Sequence, residues 1–210
     1  MSGPRLLRLA EDPPEAVLLA FLDAAAAGEL LIFPTDTVYG LGARADSPEA
    51  LETLFAVKRR PAELALPILV GDRAGLDGVI AAWPPAAEAV ASAFWPGPLT
   101  LVLPRAPGLS PRVTGGRDSV GVRMPDHPAL LSWLCACPFP LAVTSANLSG
   151  QPEAVALEEI PAELQSAVAV VVDGGRCPGG EPSTVVDLTG GDPRVLRPGP
   201  ITESQIISRL

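Results

Sequence analysis

Lysine and histidine are almost absent from this 210-residue sequence, which contains one of each, Lys58 and His127. A lone histidine cannot build a zinc site, because such sites need several nitrogen or sulfur ligands. The three cysteines, Cys135, Cys137 and Cys177, are odd in number and lack CxxC spacing, which argues against a disulfide scaffold. We expect the cysteines to be small, buried, apolar residues and His127 to start a helix or lie in a loop.

Long apolar runs are also missing. Charge or proline interrupts every hydrophobic stretch before the roughly 18 residues that a membrane span needs. The N-terminal segment MSGPRLLRLAEDPPEA lacks the apolar core of a secretory signal. These absences predict a cytoplasmic protein without membrane contact. No Walker A or GxSxG motif is present, so the sequence does not indicate a covalent nucleophile.

Positive charge is scarce as well, since the net charge is −9. Sequence-independent nucleic-acid binding requires a dense basic surface, which this composition disfavours except as a local patch. Fourteen of the 15 cationic residues are arginine, and Lys58 is the exception. Because an ammonium group and a planar guanidinium are not interchangeable, Lys58 is a candidate functional residue.

Apolar residues make up 48% of the chain, enough for a core, and we expect one domain over residues 1–210. The hydrophobic patterns predict helices at 14–28, 47–60, 85–95, 127–137, 156–166 and 201–210. They predict strands at 30–34, 66–71, 99–104, 119–124, 140–145, 168–174, 183–189 and 194–199. Since two strand pairs have no predicted helix between them, we expect a mixed α/β fold. Its open, twisted sheet would be part parallel and part antiparallel, with helices on its faces.

Two polar segments follow predicted strands, the position where ligands bind in open sheets of this kind. Residues 34–42, PTDTVYGLG, combine hydroxyls, a carboxylate and glycines that let backbone N–H groups approach a ligand. Residues 145–150, SANLSG, offer hydroxyl and amide groups suited to a nucleotide or an amino acid. An ordinary polar or capped turn would explain either segment equally.

Cations cluster at the end of the helix predicted at 47–60. The helix dipole alone would favour them there. Pro61, however, biases Arg60 away from helical geometry. Lys58 and Arg60 are therefore expected to leave the helix along one extended arm and to grip phosphate or carboxylate groups.

A predicted hairpin would bring Ser183, at the start of one strand, close to Arg197 at the end of the next. Arg123 ends a strand of its own. With no nucleophile indicated, these residues suit a reaction that runs by positioning and charge neutralisation, such as adenylyl transfer.

Seven motifs, in this order and spacing, resemble the YrdC-like family: PTDTVYGLG, KxRP followed by LPILV, WPGPLTLVL, GVRMPDHP, TSANLSG, PSTVVD and LRPG. They cover residues 30–199 and are similar to the short, single-domain threonylcarbamoyl-AMP synthases, which lack the C-terminal domain of longer members. The resemblance implies a twisted mixed sheet flanked by helices around a positively charged cavity.

The resemblance also implies an activity, that of a nucleotidyltransferase using L-threonine, bicarbonate and ATP. Threonine and bicarbonate would form a carbamate, whose oxygen attacks the α-phosphorus of ATP and releases pyrophosphate. Partner proteins would then transfer the threonylcarbamoyl group to tRNA. Mg²⁺ is expected with the triphosphate, with no tightly bound protein-ligated metal.

The motif positions carry implied roles. Lys58 and Arg60 would act in catalysis. The implied ATP contacts are Lys58, Arg60, Ser119, Ser145, Asn147 and Arg197. The implied threonine contacts are Thr35, Thr37, Tyr39, Arg123 and Ser183. The sequence departs from the family at Leu64, in a place where many members carry a polar or basic residue, and at Leu69, where some members carry a histidine.

Two alternatives remain open at this point. The chain could be an RNA-binding module of the same fold without synthase activity, which salt-dependent RNA binding without turnover would favour. It could also be a carbamoyl-transfer module like that within hydrogenase maturation proteins, although the other regions of those longer chains are missing here.

Overall fold

The computed structural model describes residues 3–210 and contains a ten-stranded sheet with helices on both faces. The strands are β1 (Arg5–Arg8), β2 (Leu31–Phe33), β3 (Gly40–Arg44), β4 (Ile68–Leu69), β5 (Leu99–Pro104), β6 (Ser119–Arg123), β7 (Leu141–Ser145), β8 (Val170–Asp173), β9 (Thr184–Asp187) and β10 (Arg194–Arg197). The helices are α1 (Pro14–Ala26), α2 (Pro48–Val57), α3 (Pro85–Phe94), α4 (Pro111–Thr114), α5 (Pro128–Ala136), α6 (Ala162–Ser166) and α7 (Glu203–Ile207). Short 3₁₀ turns lie at Ala74–Leu76 and Leu157–Glu159.

The sheet is mixed, as predicted, with strand order β1-β8-β2-β3-β7-β4-β6-β5-β9-β10. Four neighbouring pairs are parallel (β1–β8, β8–β2, β4–β6 and β5–β9), and the other five are antiparallel. The two strand pairs without an intervening predicted helix, β5–β6 and β9–β10, are both antiparallel. The predicted fold class is therefore confirmed, and the hairpin of β9 and β10 forms.

Prolines begin five of the seven helices: Pro14, Pro48, Pro85, Pro111 and Pro128. The N–H of the first helical residue has no acceptor inside the helix, so proline loses no hydrogen bond there, and its fixed φ already suits the helix. The residues before three of these prolines (Ser47, Ser110 and His127) also supply side-chain caps. Ser47 Oγ accepts the Ala50 N–H at 3.2 Å, and His127 Nδ1 accepts the Leu130 N–H at 3.3 Å, so His127 starts a helix as expected.

The two faces of the sheet carry separate apolar clusters. Along β2, Ile32 faces one cluster, while Leu31 and Phe33 face the other. Helices α1 and α5 cover part of the second face, where Phe21 packs against Phe33 and Trp133 with ring centroids 5.5 and 5.1 Å apart. In β5, β6 and β9, the residues that alternate with those of the first cluster point to this second face. These strands contribute no residue to the second cluster.

Strand β3 was missed by sequence reasoning because two glycines, Gly40 and Gly42, weaken its pattern. Both lie against the Phe33 ring: a Cβ added at Gly42 would come within 2.8 Å of Phe33 Cε1, and one at Gly40 within 3.1 Å of Cε2. Glycine inside a strand often marks such a close approach. The interpretation of Gly42 as part of a ligand loop is therefore wrong, since it makes room for a core ring.

Several other boundaries differ from the predictions. Strand β1 and helix α4 were missed, the strand predicted at 66–71 shortens to β4, and the helix predicted at 156–166 divides into a 3₁₀ turn and α6. Cys177 is buried as expected and Cys137 is half-buried, but Cys135 is exposed. The prediction for Cys135 was wrong because α5 packs inward through Leu130, Trp133 and Leu134, which turns Cys135 toward solvent.

Candidate active site

A cavity of about 1170 Å³ opens on the sheet face that α1 and α5 leave uncovered. Its floor includes Thr100 and Val102 of β5, Gly121 and Arg123 of β6, and Val185 of β9. All eleven residues predicted to form the site line this one cavity: Thr35, Thr37, Tyr39, Lys58, Arg60, Ser119, Arg123, Ser145, Asn147, Ser183 and Arg197. Motifs spread over 163 positions of sequence therefore meet in one place.

The cavity carries an excess of positive charge in an acidic protein. Six cations line it (Lys58, Arg60, Arg117, Arg123, Arg194 and Arg197), against three acids (Asp118, Glu153 and Asp187). This excess of three positive charges contrasts with a net charge of −9 for the whole chain. A cleft lined mainly by one sign of charge attracts and concentrates ligands of the opposite sign.

The Lys58 side chain is bound by the last residue of β7 and by the turn that follows it. Its ammonium donates to the Ser145 carbonyl at 2.5 Å, to the Asn147 carbonyl at 2.7 Å and to Asn147 Oδ1 at 2.7 Å. Its own carbonyl accepts the Ser149 N–H at 3.0 Å. Lys58 is only 2% exposed. Its ammonium has three N–H groups, and three protein acceptors already bind them. A direct contact between Lys58 and a phosphate would therefore have to replace one of these bonds.

The end of α2 does not form the extended arm that the sequence suggested. Arg59 adopts a left-handed conformation with φ 52°, and the chain turns back on the helix. The Arg60 N–H reaches the Phe55 carbonyl at 2.9 Å and the Arg59 N–H reaches the Ala56 carbonyl at 3.1 Å, the pattern of a Schellman motif. This turn still places Lys58 and Arg60 at the cavity while Arg59 points outward.

The segment after β2 folds around its own hydroxyls. Thr35 Oγ1 donates to the Val38 carbonyl at 2.7 Å and accepts the N–H groups of Thr37 and Val38. Thr35 and Thr37 hydroxyls lie 3.0 Å apart. Both residues are buried, so this segment presents a fixed polar surface to the cavity.

Arg123 joins this segment to β6. Its Nη1 donates to Thr37 Oγ1 at 3.0 Å, its Nη2 to Asp36 Oδ1 at 2.5 Å, and its Nε to the Gly97 carbonyl at 3.0 Å. Desolvation lowers the pKa of Arg123, and the charge of Asp36 opposes that shift. The guanidinium is therefore fixed in orientation at the cavity wall.

Tyr39 lines the cavity, but its hydroxyl is engaged elsewhere. The hydroxyl donates to the Gly175 carbonyl at 2.7 Å and accepts the Gly174 N–H at 3.1 Å. Burial raises the pKa of this phenol, so it stays protonated. Tyr39 thus ties the loop after β8 to the segment that carries Thr35 and Thr37.

The hairpin of β9 and β10 brings Arg197 onto Ser183, as predicted. Arg197 Nη2 donates to the Ser183 carbonyl at 2.7 Å and to Ser183 Oγ at 3.2 Å. Ser183 Oγ lies 2.8 Å from Thr100 Oγ1. Desolvation, followed by the positive charge of Arg197, lowers the pKa of Arg60, which places these two arginines in one electrostatic environment.

The remaining predicted residues lie at the rim and in the turn after β7. Ser145 Oγ donates to Asn147 Oδ1 at 2.6 Å, and the Asn147 amide donates to the Gln151 carbonyl. Ser119 begins β6 and makes no side-chain hydrogen bond with residues 3–210, which leaves its hydroxyl available.

Sequence reasoning missed several residues that the fold brings to the cavity. Thr100 had a detectable signal, since it is a polar residue inside the apolar strand LTLVLP. Arg117 and Asp118 follow two glycines with positive φ, Gly115 and Gly116, and enter the wall through that turn. Arg194 and Asp187, which form an ion pair at 3.3 Å, gave no signal in sequence.

Both departures from the family pattern, Leu64 and Leu69, lie in the cavity wall. Leu69 is buried and also belongs to the cluster beneath α1 and α5, whereas Leu64 is exposed at the rim. Pro67, Val102 and Leu196 add further apolar surface. The cavity wall therefore combines cationic groups with apolar surface, which suits a ligand that has both an anionic part and an apolar part.

Metal ligands do not cluster in the part of the chain that the structure describes: no group of three or more His, Cys, Asp or Glu side chains could hold an ion there. Between residues 3 and 210, no helix is long and apolar enough to cross a membrane.

Comparison with known proteins identifies the family. The family model Sua5_yciO_yrdC, described as "Telomere recombination", matches residues 23–199. The chain belongs to this family. The match runs from the last turn of α1 to just beyond β10, and so includes every residue of the predicted site.

Relatives within the family bear synthase names. The chain is 42% identical over 179 residues to the threonylcarbamoyl-AMP synthase of Bacillus subtilis, covering 85% of this chain and 52% of that protein. It is 40% identical over 193 residues to a Mycobacterium tuberculosis protein named as a putative threonylcarbamoyl-AMP synthase, covering 92% of this chain and 88% of the relative. The chain thus spans about half of one relative and most of another.

A solved structure of the family shows the same fold. P. abyssi Sua5 complexed with L-threonine superposes with a TM-score of 0.92 at 35% sequence identity, covering 100% of this chain and 61% of that one. The sheet and the helices described above are therefore those of the family.

Proposed function

We propose that this chain is a threonylcarbamoyl-AMP synthase, a nucleotidyltransferase that uses L-threonine, bicarbonate and ATP. The observation that carries the proposal is the convergence of eleven predicted residues on one cationic cavity. The synthase names of relatives about 40% identical to this chain, and the threonine named in the complex of P. abyssi Sua5, support the same activity.

Threonine would bind beside Arg123. A guanidinium fork suits a carboxylate, and the hydroxyls of Thr35 and Thr37 lie next to it. Ser183 would complete the threonine contacts from the hairpin side, and Tyr39 would support them by holding the neighbouring loop. This arrangement would place the threonine amine in the cavity, where it can meet bicarbonate.

The ATP phosphates would lie against Arg60 and Arg197. ATP carries about four negative charges, and Lys58, Arg60 and Arg197, which line the cavity, would offset most of them. Lys58 would contribute its positive charge near the phosphates. Its hydrogen bonds would also hold Ser145 and Asn147 in place for the nucleotide. Ser119 would contact the nucleotide from the opposite rim.

The reaction would proceed by positioning and charge neutralisation. The threonine nitrogen attacks the carbon of bicarbonate, a C–N bond forms and water leaves, which yields a carbamate. A carbamate oxygen then attacks the α-phosphorus, and the bond to the β-phosphate oxygen breaks with release of pyrophosphate. Arg60 and Arg197 would stabilise the negative charge that shifts onto the leaving phosphates.

Mg²⁺ would accompany ATP, held mainly by phosphate oxygens and water, as is usual for magnesium with triphosphates. We also propose that residues 1–210 act as one domain in the cytoplasm and pass their product to proteins that modify tRNA. The single sheet that joins β1 to β10 supports the one-domain proposal.

The test measures pyrophosphate release from ATP with L-threonine and bicarbonate each present or omitted. We expect release only when both are present. Arg197→Ala should raise the KM for ATP at least about tenfold, the effect of losing roughly 1.4 kcal/mol of binding. Arg176→Ala, which removes an exposed arginine paired with Glu159 outside the cavity, is the matched control and should leave KM unchanged.

Release without threonine, or no release in any mixture, would contradict the synthase proposal. Salt-dependent RNA binding in a chain that releases no pyrophosphate would instead support the RNA-binding alternative.

A further inference from the structure

The Asp36 side chain is buried beside the cavity without lining it. Its side chain and that of Arg123 are each 8% exposed, and Asp36 Oδ1 lies 2.5 Å from Arg123 Nη2. Arg123 lines the cavity, whereas Asp36 does not. Asp36 therefore contacts the guanidinium from outside the cavity lining.

The contacts of Arg123 leave a defined part of its guanidinium free. Of its five N–H groups, one is used by Gly97, one by Thr37 and one by Asp36. Each terminal nitrogen keeps one N–H without a partner among residues 3–210. Two N–H groups on adjacent nitrogens can bind the two oxygens of one carboxylate.

Charge separates this position from the rest of the cavity. Arg123 and Asp36 together are neutral, whereas Lys58, Arg60 and Arg197 have no carboxylate within 4 Å in the described chain. A neutral pair with two free donors suits one carboxylate of a zwitterion. The unpaired cations suit the more highly charged triphosphate.

We propose that Asp36 is a positioning residue that fixes Arg123 for the carboxylate of the amino-acid substrate. This inference rests on the proposed function and adds to it a residue that makes no substrate contact of its own. Without the Asp36 charge, Arg123 would keep its contacts to Thr37 and Gly97, but the bond that fixes its Nη2 nitrogen would weaken, because a neutral oxygen is a poorer acceptor than a carboxylate.

Asp36→Asn tests the inference, because the amide keeps the size of the carboxyl group and removes its charge. Three constants are measured: the KM for L-threonine, the KM for ATP, and the Ki of L-threonine amide, which lacks the carboxylate. We expect the KM for threonine to rise at least about tenfold, and the other two constants to stay within about twofold. A merely structural defect would raise all three together.

The matched control is Asp46→Asn. Asp46 also lies 2.5 Å from an arginine, Arg44, but this pair is more exposed and outside the cavity. All three constants should equal those of the wild type. Equal values in Asp36→Asn and Asp46→Asn would overturn the inference.

A double variant keeps the inference testable if Asp36→Asn is less stable. In an Arg123→Lys background, where the two-donor fork is gone, adding Asp36→Asn should raise the KM for threonine by less than about twofold. Independent, multiplicative effects would contradict a role through Arg123. Failure of the wild-type chain to release pyrophosphate with threonine would instead overturn the proposed function, and the inference with it.

Discussion

On one face of the sheet, strands β8 and β2 lie beneath α1 and α5, whereas β6, β5 and β9 lie beneath the cavity, and β3, β7 and β4 lie between the two regions. The covered half contributes Leu31, Phe33 and Val172 to an apolar cluster. The open half presents Thr100 and Arg123 instead. Helices pack where the outward positions are apolar, and a space for ligand remains where those positions are polar or charged.

The charge distribution follows the same division. The cavity lining holds an excess of three positive charges, which leaves an excess of twelve negative charges on the rest of the chain. An acidic exterior disfavours binding of RNA outside the cavity, while the cationic interior favours a compact anion. The two halves therefore differ in what they contribute, one to stability and the other to binding.

Phe21→Ala should give the largest effect and tests whether the covered half serves stability alone. Phe21 is fully buried between Phe33 and Trp133, so its truncation should lower the free energy of unfolding by about 3–5 kcal/mol. Urea unfolding measures this loss. The KM for ATP should stay within about twofold, and a tenfold rise would show that the two halves are not independent.

Lys58→Met should give a smaller loss of stability, because it leaves acceptors on Ser145 and Asn147 without a donor. We expect about 1–3 kcal/mol, the range for buried polar groups left unpaired. Unlike Phe21→Ala, this change should also raise the KM for ATP. A variant that loses activity with no loss of stability would contradict the bonding of Lys58 described above.

The same variant gives a pH test with a defined sign. Desolvation, followed by the charge of Arg60, lowers the pKa of Lys58 from 10.5 to about 8. Between these values the unfolded chain binds more protons than the native one, so the free energy of unfolding rises with pH. The difference between wild type and Lys58→Met in urea unfolding should therefore increase from pH 8 to pH 10. A constant or falling difference would contradict the lowered pKa.

The smallest effect concerns Arg59, whose backbone has φ 52°. Valine at this position should lower the free energy of unfolding by about 1–2 kcal/mol, because a branched side chain is strained in the left-handed region. Glycine should remain within about 1 kcal/mol of wild type, since it also loses an exposed ion pair with Glu163. Thermal or urea unfolding of both variants measures the difference, and equal stabilities would exclude the left-handed turn.

Much of the fold was predictable where the signals were local. Pro48 after Ser47 marked the start of α2, and the apolar spacing of Leu51, Leu54 and Phe55 marked its buried face. Strand β3 was not predictable in this way, because its glycines are needed for the close approach of the Phe33 ring and do not reflect a local preference for strand. The end of α2 was mispredicted because a non-glycine residue adopts the left-handed turn there.

By itself, the sequence singled out eleven motif positions, and all of them line the cavity. It also determined the helix starts, through proline and capping side chains that act over three or four residues. Tertiary structure alone decided how the charged groups are paired. Lys58 meets Ser145 across 87 positions and Arg123 meets Asp36 across 87, so only the strand order brings them together. Hydrogen bonds over such separations depend on how the whole sheet packs, and no local pattern encodes them.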